Sequence, residues 1–174
     1  MEELLQFVCQ SLEKKHIPYM LSGSVAMSMY TIPRFTRDID IIIVLPPDYL
    51  DAFAAIFSRN FYFHRPTVEE EVKRHGLFHV IDLSSGVKLD FIIRKPTEFR
   101  LAEFDRRQRR PVFGFDAWVV SAEDLVLSKL IWIQDGEIGL QKTDIENLLR
   151  DNPVDWEYIR FWSHRLNLKT YNLL

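Results

Sequence analysis

The sequence predicts an α/β (α+β) fold, a small sheet flanked by helices, with a helical C-terminal region. Three observations carry that expectation. The run Asp38-Ile39-Asp40-Ile41-Ile42-Ile43-Val44 is β-branched and apolar after its acidic start, as in a strand buried on both faces. Two further apolar runs, 78–83 and 87–93, flank Ser84-Ser85-Gly86 and read as a hairpin. The chain changes character at Ser121, where a capping box opens the first of several helical patterns. A soft boundary there divides residues 1–120 from a helical region, 121–174.

Taken in order, residues 2–14 form an amphipathic pattern with Leu4, Leu5, Val8, Cys9 and Leu12 on one face. That placement makes Cys9 a small core residue rather than a nucleophile. A first strand is expected over 19–22, a tight turn at Gly23, and a helix over 25–30 capped by Ser24 and limited by Pro33. Pro46-Pro47 ends the acidic strand and opens a helix through Phe57, with Tyr49, Leu50, Phe53 and Phe57 as its apolar stripe. Residues 61–64 read as a short aromatic strand, and Thr67 with Glu70 as a capping box for a helix over 68–74. His75 and His79 are four apart, but Gly76 lies between them and no Glu follows His75. Structural or exposed histidines are therefore expected rather than a helical zinc pair.

Residues 94–110 carry seven cations against three acids, which reads as a solvated face or as a strip steering phosphate-bearing ligands. One or two short strands follow around Gly114. The helix opened by Ser121-Ala122-Glu123-Asp124 runs to about Gln134, with Leu125, Val126, Leu130 and Ile133 buried and Lys129 beside them, snorkelling outward. Residues 136–139 read as a loop, 142–149 as the start of another helix, and Asn152-Pro153 as the start of an aromatic-rich last helix. Its stripe of Tyr158, Ile159, Trp162 and Leu166 is a core face or a partner-binding one.

At 174 residues and 47% apolar content the chain suffices for a sizeable core in one domain, or in one domain with a helical annex. A net charge of −3 excludes a uniformly basic nucleic-acid binder. One cysteine, no secretory segment and no 18-residue apolar run lead to the expectation of a soluble, cytoplasmic protein without membrane association.

The acidic strand carries the chemistry. Side chains two apart on a strand share a face, so the Asp38 and Asp40 carboxylates lie roughly 6–7 Å apart on one side. At an effective dielectric near 20, their repulsion is about 2–3 kcal/mol. A divalent cation held through oxygens is the natural compensation. On the strand over 87–93, Asp90 stands between Leu89 and Phe91, where a carboxylate is costly without a partner. A salt bridge or a solvent-facing side would also explain it. At the other end of the stretch, free N–H groups after Gly23 and Ser24 can hold an anion.

The order apolar-Gly-Ser, then 13 residues between Ser24 and Asp38, then Asp-x-Asp, resembles the signature of the polymerase-beta-type nucleotidyltransferase superfamily. Arg34-Phe35-Thr36-Arg37-Asp38-Ile39-Asp40 is similar to the Arg-x-Thr-x-Asp-apolar-Asp form of small bacterial stand-alone members and AbiEii-type abortive-infection toxins. Ser121-Ala122-Glu123-Asp124-Leu125, followed by Lys129, resembles the Ser-x-Glu-Asp-Leu helix of the same family. The resemblance implies a small mixed twisted sheet and a third carboxylate on a later strand, with Asp90 as the candidate and Asp82 as its competitor. It implies transfer of a nucleoside monophosphate from an NTP to a hydroxyl, with release of pyrophosphate. Asp38 and Asp40 would bind Mg²⁺ (or Mn²⁺), and Asp90 would share a second ion or act as general base. Gly23 and Ser24 would hold the β/γ-phosphates, and Arg34 and Lys129 would neutralise their charge. Thr36 belongs to the same motif. Asp144 resembles an acid of the AbiEii-like toxins and is equally explained as a helix N-terminal acid. The implied acceptor is a tRNA or other RNA end, a protein or a small molecule, with an antitoxin as a possible partner. The alternative is a nucleotide- or partner-binding component in which transfer is vestigial.

Overall fold

The isoleucine-rich strand lies at the centre of the sheet, as its burial on both sides requires. The computed structural model describes residues 1–33, 36, 38–134 and 139–174. In chain order the elements are α1 (Glu2–Lys14), β1 (Tyr19–Leu21), α2 (Gly23–Met27), β2 (Asp38–Ile43), a 3-10 turn (Pro47–Tyr49), α3 (Leu50–Ile56), β3 (Phe61–Tyr62) and α4 (Arg65–Arg74). They continue with β4 (Leu77–Asp82), β5 (Lys88–Ile93), α5 (Glu98–Asp105), β6 (Gln108–Val112), β7 (Phe115–Val119), α6 (Ala122–Trp132), α7 (Gly139–Asp151) and α8 (Trp156–Arg165). The strands form one 7-stranded mixed sheet in the order β3-β4-β5-β2-β1-β7-β6. β2 is parallel to β5 and β1 to β7, and the remaining pairs are antiparallel.

The two faces of the sheet have different jobs. Ile39, Ile41 and Ile43 alternate with Asp38, Asp40 and Ile42, so the isoleucines and Leu89, Phe91 and Ile93 of β5 share one face. Onto it α3 places Phe53, edge-on to Phe78 and Phe91 with centroids 5.5 and 5.0 Å away. Each such fully buried phenylalanine contributes about 1.5–3 kcal/mol of apolar burial, and the edge contacts add about 0.5–1.5 kcal/mol. The opposite face carries the acids.

A single apolar cluster runs from α1 through the sheet into α6, α7 and α8. The joint between α5, α6 and α8 is polar, and its two buried acids are well partnered. Asp124, with no exposed surface, accepts from Ser121 Oγ at 2.6 Å, Arg106 Nε at 3.1 Å and Tyr158 Oη at 2.7 Å. Beside it the buried Glu103 accepts from Arg100 and Ser128. Burial pushes the Glu103 carboxyl upward, and Arg100 opposes that shift.

Several local expectations are corrected. Ser22, not Ser24, is the N-cap of α2, and Gly23 opens that helix. The helix expected from Pro47 to Phe57 divides, because the Tyr49 N–H bonds back to Pro46 O and closes a 3-10 turn first. α4 begins at Arg65 with His64 as its N-cap and Pro66 in the first turn, where the missing N–H has no intrahelical role. Thr67 meets His64 Nδ1 at 2.9 Å instead of capping. α8 starts at Trp156, capped by Asp155, while Asn152 bonds Tyr30 O and Leu148 O. Gly139 is helical, and residues 136–138 of the expected loop lie outside the described residues.

The 94–110 cations, expected as a solvated face or a steering strip, are largely engaged within the fold. Arg100, through Ser128, and Arg106, through Asp124, join α5 to α6, Arg109 pairs with Glu13 of α1, and Arg107 lies over the Phe104 and Trp118 rings at 4.2 and 4.9 Å. The helix α5 among them had no counterpart in the sequence reading, since only Phe99, Glu103 and Phe104 of its residues are buried. No helix among the described residues is long and apolar enough to cross a membrane.

Asp124→Ala should lower stability by about 2–3 kcal/mol in chemical denaturation, because three donors lose their buried acceptor. Glu98→Ala, which removes only an exposed pair with Arg165, should cost about 0–1 kcal/mol. Equal losses would show that the polar joint does not hold the helices.

Candidate active site

The β2–β5 register assembles the site. In these parallel strands Asp38 lies beside Lys88, and Asp40 beside Asp90. Registered residues of paired strands share a face, so three carboxylates and one ammonium form a single patch. Asp90 thus sits next to Asp40 on a later strand, where the resemblance requires a third acid. Asp82 does not. By alternation it falls on the Phe78 and Val80 face, and it organises the hairpin turn, accepting from the Ser84 and Ser85 N–H groups at 3.3 and 3.1 Å and from both hydroxyls. Burial opposes its charge, but the Ser85 and Ser84 bonds outweigh it and hold the carboxyl below its ordinary range.

Both oxygens of Asp90 have partners. His79, directly across on β4, brings Nδ1 to 2.6 Å of Oδ1, and Lys88 Nζ lies 3.0 Å from Oδ2. Lys88 Nζ is also 3.6 Å from Asp38 Oδ1. Asp40 has less compensation. Burial, then the Asp90 and Asp38 charges, push its carboxyl above the ordinary value, with Lys129 and Lys88 only partly offsetting them.

The loop after β1 closes over this acid. The Ser22 N–H bonds Asp40 O at 3.0 Å, and Gly23 has φ +58°, a backbone that disfavours any side chain. A Cβ on Gly23 would lie 1.9 Å from Asp40 Oδ2. Gly23 is therefore required twice, by its dihedral and by contact with the carboxylate. Ser24 follows in the first turn of α2. Thr36 Oγ1 donates to Asp38 O at 3.1 Å and accepts from the Asp38 N–H at 3.3 Å, bracing the start of β2. Arg34 lies outside the described residues.

Lys129 does not snorkel. It is 6% exposed and donates to Asp144 Oδ2 at 2.7 Å and Gln141 Oε1 at 2.9 Å, while its charge still acts on Asp40. Asp144 is no first-turn acid either. α7 begins five residues earlier, at Gly139, and Asp144 is buried against Lys129.

His79 and Lys88 are the site residues that sequence reasoning missed. His79 was expected to be structural or exposed, and Lys88 drew no attention. The alternation of Lys88 with Asp90, matching that of Asp38 with Asp40, was the available signal; strand register was not. His75, by contrast, ends α4 in a left-handed conformation and bonds Arg94 O at 3.0 Å.

The donor set fits a hard divalent cation, being oxygen-only and carrying an acid whose charge is disfavoured by burial and like neighbours. Among the described residues the three carboxylates do not converge on one point, since Lys88 bridges two of them.

Solved structures share the fold. The antibiotic-resistance factor ANT(2'')-Ia superposes with a TM-score of 0.67 at 11% identity, covering 96% of this chain and 93% of that one. The lincosamide antibiotic adenylyltransferase LnuA, with lincomycin bound, gives 0.60 at 14% identity, covering 87% and 98%. An antigenic nucleotidyltransferase-like protein from Paracoccidioides brasiliensis gives 0.58 at 13% identity, covering 95% and 86%. The fold is that of the polymerase-beta-like nucleotidyltransferases, and the chain is a nucleotidyltransferase. The model of the family described as "Nucleotidyl transferase AbiEii toxin, Type IV TA system" matches residues 6–151, and the chain belongs to that family. No curated protein matches it in sequence.

Gly23→Ala should weaken nucleotide binding and reduce stability by about 1–3 kcal/mol, read by calorimetry and denaturation. Wild-type behaviour would show that α2 can move off Asp40. Asp40→Asn should stabilise the protein at neutral pH in chelator. A carboxyl raised on folding binds protons more readily in the folded state, so wild-type stability falls as pH rises from about 3.8 through the raised value. The mutant's advantage should shrink as pH falls back through that window; an advantage independent of pH would refute the electrostatic cause.

Proposed function

We propose that the protein transfers a nucleoside monophosphate from an NTP to a hydroxyl acceptor, dependent on Mg²⁺ or Mn²⁺, in a toxin–antitoxin setting. The observation that carries this reading is the placement of Asp90 beside Asp40 in the β2–β5 register. Asp38, Asp40 and Asp90 would hold the divalent cation, which when bound supplies charge to the triphosphate and the attacking oxygen. Asp90, oriented by His79, takes the proton of the acceptor hydroxyl. The hydroxyl oxygen bonds to the α-phosphorus, the bond to the bridging oxygen breaks, and pyrophosphate leaves with the electron pair.

Gly23 and Ser24 hold the β/γ-phosphates at the start of α2, which lies against Asp40. By the family resemblance, Arg34 would help to neutralise the triphosphate. Lys129, presented by α6 and held by Asp144, stabilises charge moving onto the leaving group. Residues 1–120 are thus the catalytic part, and residues 121–174 the helical part that completes the site through Lys129. The acceptor is an RNA end such as tRNA, a protein or a small molecule; a toxin role implies an antitoxin partner.

Incubating the protein with each labelled NTP, Mg²⁺ and cellular RNA, protein and small-molecule fractions should place label in one acceptor class. Asp90→Asn should keep NTP affinity within a few-fold and lose transfer at least about a hundredfold. The Asp38→Asn/Asp40→Asn double mutant should lose Mg²⁺-dependent NTP binding in calorimetry. Undiminished binding in that mutant would remove the metal assignment, and full transfer by Asp90→Asn would remove the base.

A further inference from the structure

Lys88 occupies an unusual place for a lysine. It stands in register with Asp38 and two residues, the next place on the same face, from the Asp40–Asp90 pair, so the patch has three negative corners and one positive. Its ammonium lies 3.0 Å from Asp90 Oδ2 and 3.6 Å from Asp38 Oδ1. These are oxygens of the very acids to which the divalent cation was assigned above. Mg²⁺ takes its oxygens at about 2.0–2.1 Å. An ammonium at hydrogen-bonding distance from Asp90 Oδ2 fills the same space and carries the same sign of charge. The two occupants therefore exclude each other.

We propose that Lys88 is a built-in counter-cation that holds Asp38 and Asp90 together until a divalent cation takes their charge, and withdraws when it does. The inference rests on the metal reading of the proposed function. Of Asp90's two partners, Lys88 is the one built to leave. His79 sits on a strand paired directly with β5, and its ring contacts Oδ1 from the cross-strand position, so it fixes the carboxylate's orientation. Lys88 has a long flexible stem on which its head can turn into water, whereas the His79 ring, though more exposed, is short and rigid and is held at its cross-strand position. Its departure frees Asp90 Oδ2 and Asp38 Oδ1 together. While it stays, the charge left uncompensated centres on Asp40, where burial and both neighbouring acids already disfavour the ionised form.

The consequence is a site that resists free divalent ions. The lysine head is half-exposed while Asp90 is buried, so Lys88 both compensates Asp90 and competes with an arriving cation for its oxygen. Titrating the nucleotide-free protein with Mn²⁺ by calorimetry, alongside thermal unfolding in chelator and in Mn²⁺, tests this directly. Lys88→Met and Lys88→Gln should bind Mn²⁺ about tenfold more tightly than wild type. Both should gain more thermal stability from Mn²⁺ than wild type gains. Lys88→Arg, which keeps the charge, should bind no more tightly than wild type. The Asp40→Asn change, added to each, should abolish binding and so locate the ion. Mn²⁺ affinity unchanged or weakened in Lys88→Met and Lys88→Gln, with Asp40 still required, would overturn the inference and leave the metal site standing. No Mn²⁺ binding by any of the proteins would overturn both together.

Discussion

Everything at this site depends on one register. Parallel pairing of β2 and β5 sets Asp40 against Asp90 and Asp38 against Lys88, and slipping it by one residue would turn two of these side chains to the opposite face. The apolar half of the same strands prevents that slip. Ile39, Ile41 and Ile43 and their partners Leu89, Phe91 and Ile93 are buried together under α3, so a shift would expose the core to move the acids. The aromatic packing on one face therefore holds the electrostatics of the other in place. Like charges that would separate in a flexible loop are kept adjacent by a sheet with no freedom to relax them.

The acid face is finished by elements from both ends of the chain. Gly23 brings the backbone of α2 against Asp40, and Lys129 brings a buried positive charge from α6. A buried ammonium is tolerable only with good partners, and Asp144 and Gln141 on α7 supply them. The polar joint at Asp124 and Glu103 has a related role further out, tying α6 to α5 and α8. α6 is consequently held from several sides, which fixes where the Lys129 charge lies relative to Asp40.

Sequence legibility followed the range of the interaction that set each feature. The central strand, the Ser84-Ser85-Gly86 hairpin and the Ser121 cap are local patterns, and all were readable. Asp38 and Asp40 share a face by alternation alone, with no knowledge of neighbours. The preference for Asp90 over Asp82 needed the resemblance, and register then separated them: one faces Asp40, the other serves its own turn. His79 was illegible because only cross-strand pairing gives it Asp90, whereas Lys88 shares a face with Asp90 by alternation and owes only its Asp38 contact to the register. α5 was hidden for another reason. Its inward residues include Glu103, an acid made acceptable by Arg100 and Ser128, so its buried stripe does not read as apolar.

The same electrostatics explain why such a site is built on a stiff scaffold. Asp40 is partly buried, flanked by two acids, and closed off by a glycine that leaves no room for anything but backbone. Burial and the two neighbouring acids disfavour the carboxylate's charge. An acid in that condition would gain most from a cation brought beside it. Lys88 reduces part of that strain at Asp38 and Asp90 but leaves Asp40 the least compensated of the three. The patch is thus graded, with Asp40 the least compensated and Asp38 and Asp90 sharing Lys88. That grading arises from three strand neighbours, Lys88, Asp90 and His79, whose side chains meet only because the hydrophobic face beneath them aligns their backbones.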